Sequence, residues 1–248
     1  MSVDGTIVWL TWRQLFARRR IYLAAAFSLT PLIVALLFRI LVPDSDSSSV
    51  EFLTGLIREF VIGTLLPLAA VVFGTTAFGG EVDDGTLVYL LVKPLSRWRV
   101  VWWKYVVAVL STAAVMVPAV ILPWLVVRNP DMPVRVPLAY LAGLGVGCLV
   151  YCAIFVTLGL TTRRALVFGL LYIVAMEMVL SRSVIGTRSL SVREFAISVA
   201  QWVGKGAVAL SESAVSLATV WTMGPVILIG AIAFAMWRLR RFEVAERL

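Results

Sequence analysis

The sequence predicts an all-α integral membrane protein with six transmembrane helices, and three observations carry that prediction. Of 248 residues, 61% are hydrophobic, against the roughly 45–50% of soluble domains. Apolar runs near the length of about 20 residues that crosses about 30 Å of hydrocarbon as helix recur along the chain, with hardly any of the period-two alternation of a barrel strand. The segments between them, among them PDSDSSS, RNPDMPVRVP and TTRR, carry the turn-forming residues of short connections. None is large enough for a separate soluble domain, so residues 1–248 read as one transmembrane domain.

Residues 1–20 come first. TIVWLTWRQLFARRR places Val8, Trp12, Leu15 and Phe16 on roughly one helical face, with Arg13, Gln14 and Arg20 elsewhere. That suits a helix lying in the membrane interface with its tryptophans at headgroup depth, although a simple basic anchor before the first span accounts for the same residues. Spans follow at 21–42, 61–78, 101–127, 138–160, 165–180 and 217–237, the fifth being the shortest. The first has the basic start and apolar middle of a signal peptide, but its apolar run is too long and lacks a small-residue cleavage site, so it reads as a retained span. In the fourth, Gly143 and Gly147 form a GxxxG pair that lets another helix approach closely. Cys148 and Cys152 share a face of that helix at a spacing poorly placed for a disulfide, and read as buried small residues. The segment 181–216 mixes apolar with polar residues and fits a helix on the outer surface.

Orientation follows from the bases, which accumulate on the cytoplasmic side of short loops. With the N-terminus inside, Arg13, Arg18, Arg19, Arg20, Lys93, Arg97, Arg99, Lys104, Arg163, Arg164, Arg238, Arg240, Arg241 and Arg247 are cytoplasmic, 14 of the 22 Lys and Arg. Both termini then lie in the cytoplasm, and the net charge of +8 is an anchoring pattern at the anionic inner leaflet. It is not a nucleic-acid footprint, which would need a soluble module or a long basic arm to present it.

Chemistry is narrowed by what is missing. The chain has no histidine, which removes haem-anchoring pairs, His-Glu-x-x-His zinc sites and Ser-His triads. Its one Gly-Lys pair, in QWVGKGA, lacks the earlier glycine and the following Ser or Thr of a nucleotide-binding loop. No catalytic residue and no metal site emerge. Two ionisable residues fall inside spans, Arg39 and Glu177, each near an outer end. A charge in hydrocarbon costs at least about 2.5–3.5 kcal/mol, so either the two pair or each snorkels to the interface.

The loop at 79–99, GGEVDDGTLVYLLVKPLSRWR, holds three acids, an apolar stretch too short to span, and three bases. Acids near a helix N-terminus and Lys93 near its C-terminus suit the helix dipole, with Asp84 placed to cap and Pro94 ending the element after about two turns. So short a helix is marginal alone in water. Leu87, Leu90 and Leu91 need an apolar cover, which the membrane surface, the chain's own loops or a partner protein would each supply. Ser96 then caps a second helix, RWRVVWWKY, which runs into the third span.

The order Glu81, Asp84-Gly85-Thr86-Leu87, Leu90-Leu91, Lys93-Pro94, Ser96-Arg97 and Lys104 resembles the signature loop of ATP-binding-cassette exporter permeases of the type-2 class, which lies between the second and third of six spans. The resemblance implies that the loop is a coupling helix seated in a groove of a separate cytoplasmic ATPase subunit, with Glu81, Asp83, Asp84, Gly85, Thr86, Leu87, Leu90, Leu91 and Pro94 at or near the contact. It also implies that ATP and Mg bind the partner and not this chain. Residues 1–20 correspond to a connecting helix, and 181–216 to re-entrant outer helices. A second copy or a related permease would complete a pore in the cell membrane, moving an amphipathic or lipid-like cargo outward by alternating access. The competing reading is a membrane scaffold that recruits a cytoplasmic partner and transports nothing.

Overall fold

The computed structural model describes residues 18–42, 46–83, 96–127, 133–180, 191–204 and 215–241, and every regular element among them is helical. Helix α1 (Arg18–Leu41) is followed by α2 (Asp46–Gly55), which passes through a π-helical stretch (Leu56–Leu65) into α3 (Leu66–Asp83). Then come α4 (Arg97–Val127), α5 (Arg135–Thr161) and α6 (Ala165–Tyr172) with its π-helical continuation Ile173–Leu180. The last two are α7 (Val192–Val203) and α8 (Leu217–Arg241).

Five helical windows are long and apolar enough to cross a membrane: Ala24–Leu41, Ser49–Val82, Trp98–Val127, Arg135–Thr161 and Leu217–Leu239. The second differs most from expectation, since the segment expected at 61–78 is the distal part of a rod that starts at Asp46. Gly55 and Leu66, at the two ends of the π stretch, both keep right-handed helical backbone, so the helix never breaks. The wide turn shows in Leu66 N–H bonding to the Val61 carbonyl five residues back. At the expected fifth span the helix is present but short. Ala165–Tyr172 and Ile173–Leu180, eight residues each, give under about 24 Å at 1.5 Å per residue.

Helix α5 is the central post. It packs against α3, α4, α6, α7 and α8 and buries residues all around its circumference, from Val136 through Tyr151 to Leu160, as a helix apolar on every side must. Because lipid tails are as apolar as leucine, such helices are held by close approach and by hydrogen bonds across their interfaces. Tyr105 Oη of α4 donates to the Leu149 carbonyl (3.0 Å), Thr157 Oγ1 to the Ala231 carbonyl of α8 (3.0 Å), and Ser28 Oγ of α1 to the Val115 carbonyl of α4 (2.7 Å). The two cysteines are free and buried, with Cys152 Sγ 3.3 Å from Thr112 Oγ1.

The glycine pair of α5 does what its spacing suggests. A Cβ at Gly143 would drive into the Ala196 carbonyl oxygen of α7, and one at Gly147 would sit 2.6 Å from Leu66 Cδ2. Further along, a Cβ at Gly159 would come 2.5 Å from the Thr75 carbonyl oxygen of α3. Helix α7, only 12 residues long, is thereby seated inside the bundle against α5, α8 and the π stretch, with Phe195, Ala196 and Ala200 buried. Eight of its 12 residues are buried.

Candidate functional site

Helices α3 and α4 run antiparallel, so Asp83 at the end of α3 and Arg97 at the start of α4 deliver both ends of the 84–95 segment to one end of the bundle. Just behind that segment, Lys104 points inward. Its Nζ lies 2.7 Å from Glu81 Oε1, donates to the Ala77 carbonyl at 2.6 Å, and stands 4.6 Å from the centroid of the Phe78 ring. The lysine side chain is 1% exposed and that of Glu81 17%. All three partners of Lys104 belong to the last two turns of α3, where helix carbonyls and their dipole favour a cation. The arrangement ties α4 to the end of α3 by one buried charge-assisted contact.

The sequence counts Lys104 among the interfacial bases. Burial takes it out of that set: seven residues into α4, its side chain faces α3, while Trp98 and Trp102 on the exposed side stack at 5.7 Å between ring centroids. Trp237 is likewise exposed near the end of α8, 5.6 Å from Phe234 between ring centroids. Glu81 turns to Lys104, and among the described residues its buried Oε2 has no hydrogen-bond partner. Of the other residues expected at a partner contact, Asp83 is described only as backbone at the end of α3, and Asp84, Gly85, Thr86, Leu87, Leu90, Leu91 and Pro94 lie outside the described residues. So does most of the interfacial helix expected at 1–20.

Twenty-two residues back from Glu81 along the same rod, in the π stretch, Arg193 of α7 places Nη2 2.5 Å from Glu59 Oε2, and Arg58 Nε is 3.7 Å from Glu59 Oε1. Arg193 is 11% exposed and Glu59 57%. Gly63 makes room for the arginine, because a Cβ there would lie 3.0 Å from Arg193 Nε. Nothing in the sequence reading pairs Arg193 with Glu59, which are 134 positions apart. A local signal was nonetheless present: Ser191-Val-Arg-Glu194 is a capping-box pattern, and Ser191 Oγ accepts from the Glu194 N–H at 3.4 Å. It marks the start of α7 and so the depth at which Arg193 enters.

Arg39 occupies the exposed last turn of α1. That end of α1 is held by Phe38 stacked on Phe52 of α2 at 3.8 Å. Glu177 falls in the π continuation of α6, and its side chain lies outside the described residues, so the expected Arg39–Glu177 pair does too.

A family model described as ABC-2 family transporter protein matches residues 6–191. Comparison with curated proteins found no match.

Proposed function

We propose that this chain, which belongs to the ABC-2 family of transporter proteins, is the permease of an ATP-driven exporter in the cell membrane, worked by a separate cytoplasmic ATPase. That it is a multi-pass membrane protein of a transporter class rests on the family and on the five long apolar helices. The finer reading rests on one observation: the family match runs through the 79–99 segment, and α3 and α4 present both ends of that segment at one end of the bundle.

In this reading the Lys104 end is cytoplasmic, which agrees with the bases Arg99, Arg163, Arg164 and Arg238 gathered there. Residues 165–180 act as a sixth, short span. The ATPase groove takes Gly85, Thr86, Leu87, Leu90, Leu91 and Pro94, with Asp83 and Asp84 toward its bases. Glu81 stands behind them as a strut. When the ATPase subunits close on ATP and Mg, the loop moves. Because Lys104 joins α3 to α4 at that point, the two helices tilt as one body, opening the path outward in a pore completed by a second copy or a related permease. Few charged residues fall inside the spans, which suits an amphipathic or lipid-like cargo better than a hydrated ion.

Co-purification with the ATPase encoded alongside this protein tests the reading, comparing the native chain with Gly85→Trp and with Leu87→Asp combined with Leu90→Asp. Equal stoichiometry with the native chain, lost in variants that remain folded, is the expected result. Unchanged binding by the variants overturns the coupling role of the loop. Binding with ATP turnover indifferent to any solute favours the scaffold.

A further inference from the structure

Beside the Lys104 end, a cleft of about 390 Å³ opens between α3 and the start of α6. One wall is Thr75, Thr76, Gly79 and Gly80, residues three to four apart and so on one face of α3. The other carries Arg163 and Arg164, from the turn that begins α6. Both arginines are exposed, and among the described residues neither guanidinium has an acidic partner. The threonine hydroxyl protons are spent within α3, on the Val71 and Val72 carbonyls, so the guanidiniums are the donors facing the space.

The two glycines are unexplained by packing. Each costs a helix interior about 1 kcal/mol relative to alanine, yet a Cβ on either would meet nothing within 4 Å. In contrast to Gly143 and Gly159, they admit no neighbouring helix; they leave the cleft open. Past the arginines, α6 carries an exposed apolar stripe of Val167, Leu170, Leu171 and Val174. From Ala165 to Val174 that stripe runs about 14 Å, near the half-thickness of about 15 Å of a bilayer's hydrocarbon core.

We propose that this cleft holds the phosphate headgroup of an anionic phospholipid, with Arg163 and Arg164 binding the phosphate and the acyl chains lying along Val167, Leu170, Leu171 and Val174. Two unpaired guanidiniums match a phosphodiester, basic pockets between spanning helices are suited to anionic headgroups, and the apolar stripe selects a lipid over free phosphate. An occupant touching both walls would splint α3 to α6. The inference rests on the membrane placement of the chain and on nothing about its cargo.

The test is lipid binding by the delipidated full chain in detergent, followed by native mass spectrometry and by thermal unfolding, with phosphatidylglycerol, phosphatidylcholine and inorganic phosphate as probes. Phosphatidylglycerol is expected to bind at least about tenfold more tightly than phosphatidylcholine and to raise the unfolding temperature, while inorganic phosphate competes weakly. Arg163→Ala combined with Arg164→Ala should abolish the preference. Gly79→Phe, which fills the cleft and keeps both charges, should do the same, so loss of a positive anchor is not the cause. Equal affinity for the two lipids, or a preference that survives both variants, overturns the proposal. Phosphate competing as strongly as lipid overturns its lipid half. None of these outcomes bears on ATPase co-purification.

Discussion

The rod formed by α2, the π stretch and α3 meets a basic residue with an acid at two levels, and the pairs differ in what surrounds them. In its last turns Lys104 is 1% exposed and contacts a carboxylate, a carbonyl and a ring. At the π stretch, Arg193 is 11% exposed, but its partner Glu59 is 57% exposed. The first pair sets a fully buried lysine against a mostly buried acid; the second is a buried arginine meeting an acid that water reaches. Removing one member of a buried pair strands the other without solvent, whereas an exposed carboxylate is rehydrated when its partner goes. The first joint is therefore fixed and the second screened and adjustable.

The sharpest way to break the comparison is Lys104→Met, which should cost about 3 kcal/mol by leaving the mostly buried Glu81 uncompensated. Adding Glu81→Leu should recover most of that loss. Thermal unfolding in detergent, run as a double-mutant cycle, reads both. A double variant no better than Lys104→Met would mean that the Ala77 and Phe78 contacts matter more than the ion pair.

Next in size is Gly143→Leu, expected to cost about 1–3 kcal/mol or more, because the added side chain pushes α7 off α5 and carries Arg193 away from Glu59. Gly145→Ala on the same helix is the control. A Cβ there meets nothing within 4 Å, so the change should be neutral or stabilising by up to about 1 kcal/mol. If both glycines respond alike, close packing is not what seats α7.

The smallest effect belongs to Arg193→Met, which keeps a buried stem and leaves Glu59 to be rehydrated, at most about 1 kcal/mol. Raising salt toward 1 M should shrink even that, since screening reaches exposed pairs first, and should leave the Lys104→Met penalty nearly unchanged. Equal salt sensitivity of the two pairs would erase the distinction between them.

Several features were legible in the order of residues. The apolar runs located the five long helices, and Gly143 with Gly147 marked a close helix approach. What escaped is instructive. Glu51, Arg58 and Glu59, following PDSDSSS, read as a polar connection, yet the helix runs straight through them. Charge disqualifies a segment as a span only if nothing neutralises it, and the cation that meets Glu59 lies 134 positions away. Lys104 reads as an interfacial base for the same reason, since the side of α4 that faces α3 cannot be known before the two helices are packed.

By itself, then, the sequence determined the class of solvent this chain folds in, the helical form of its spans, the end where its bases collect and the loop by which it is placed in its family. Each of those is written locally, in runs of apolar residues, in charge bias and in a short motif. The tertiary structure alone decided which charges are buried against which, that α7 packs closely on α5, and that a cleft stays open between α3 and the arginines of the next turn. These depend on groups far apart in sequence approaching within a few ångströms, and in a bundle held by close packing and sparse hydrogen bonds only the assembled helices fix those distances.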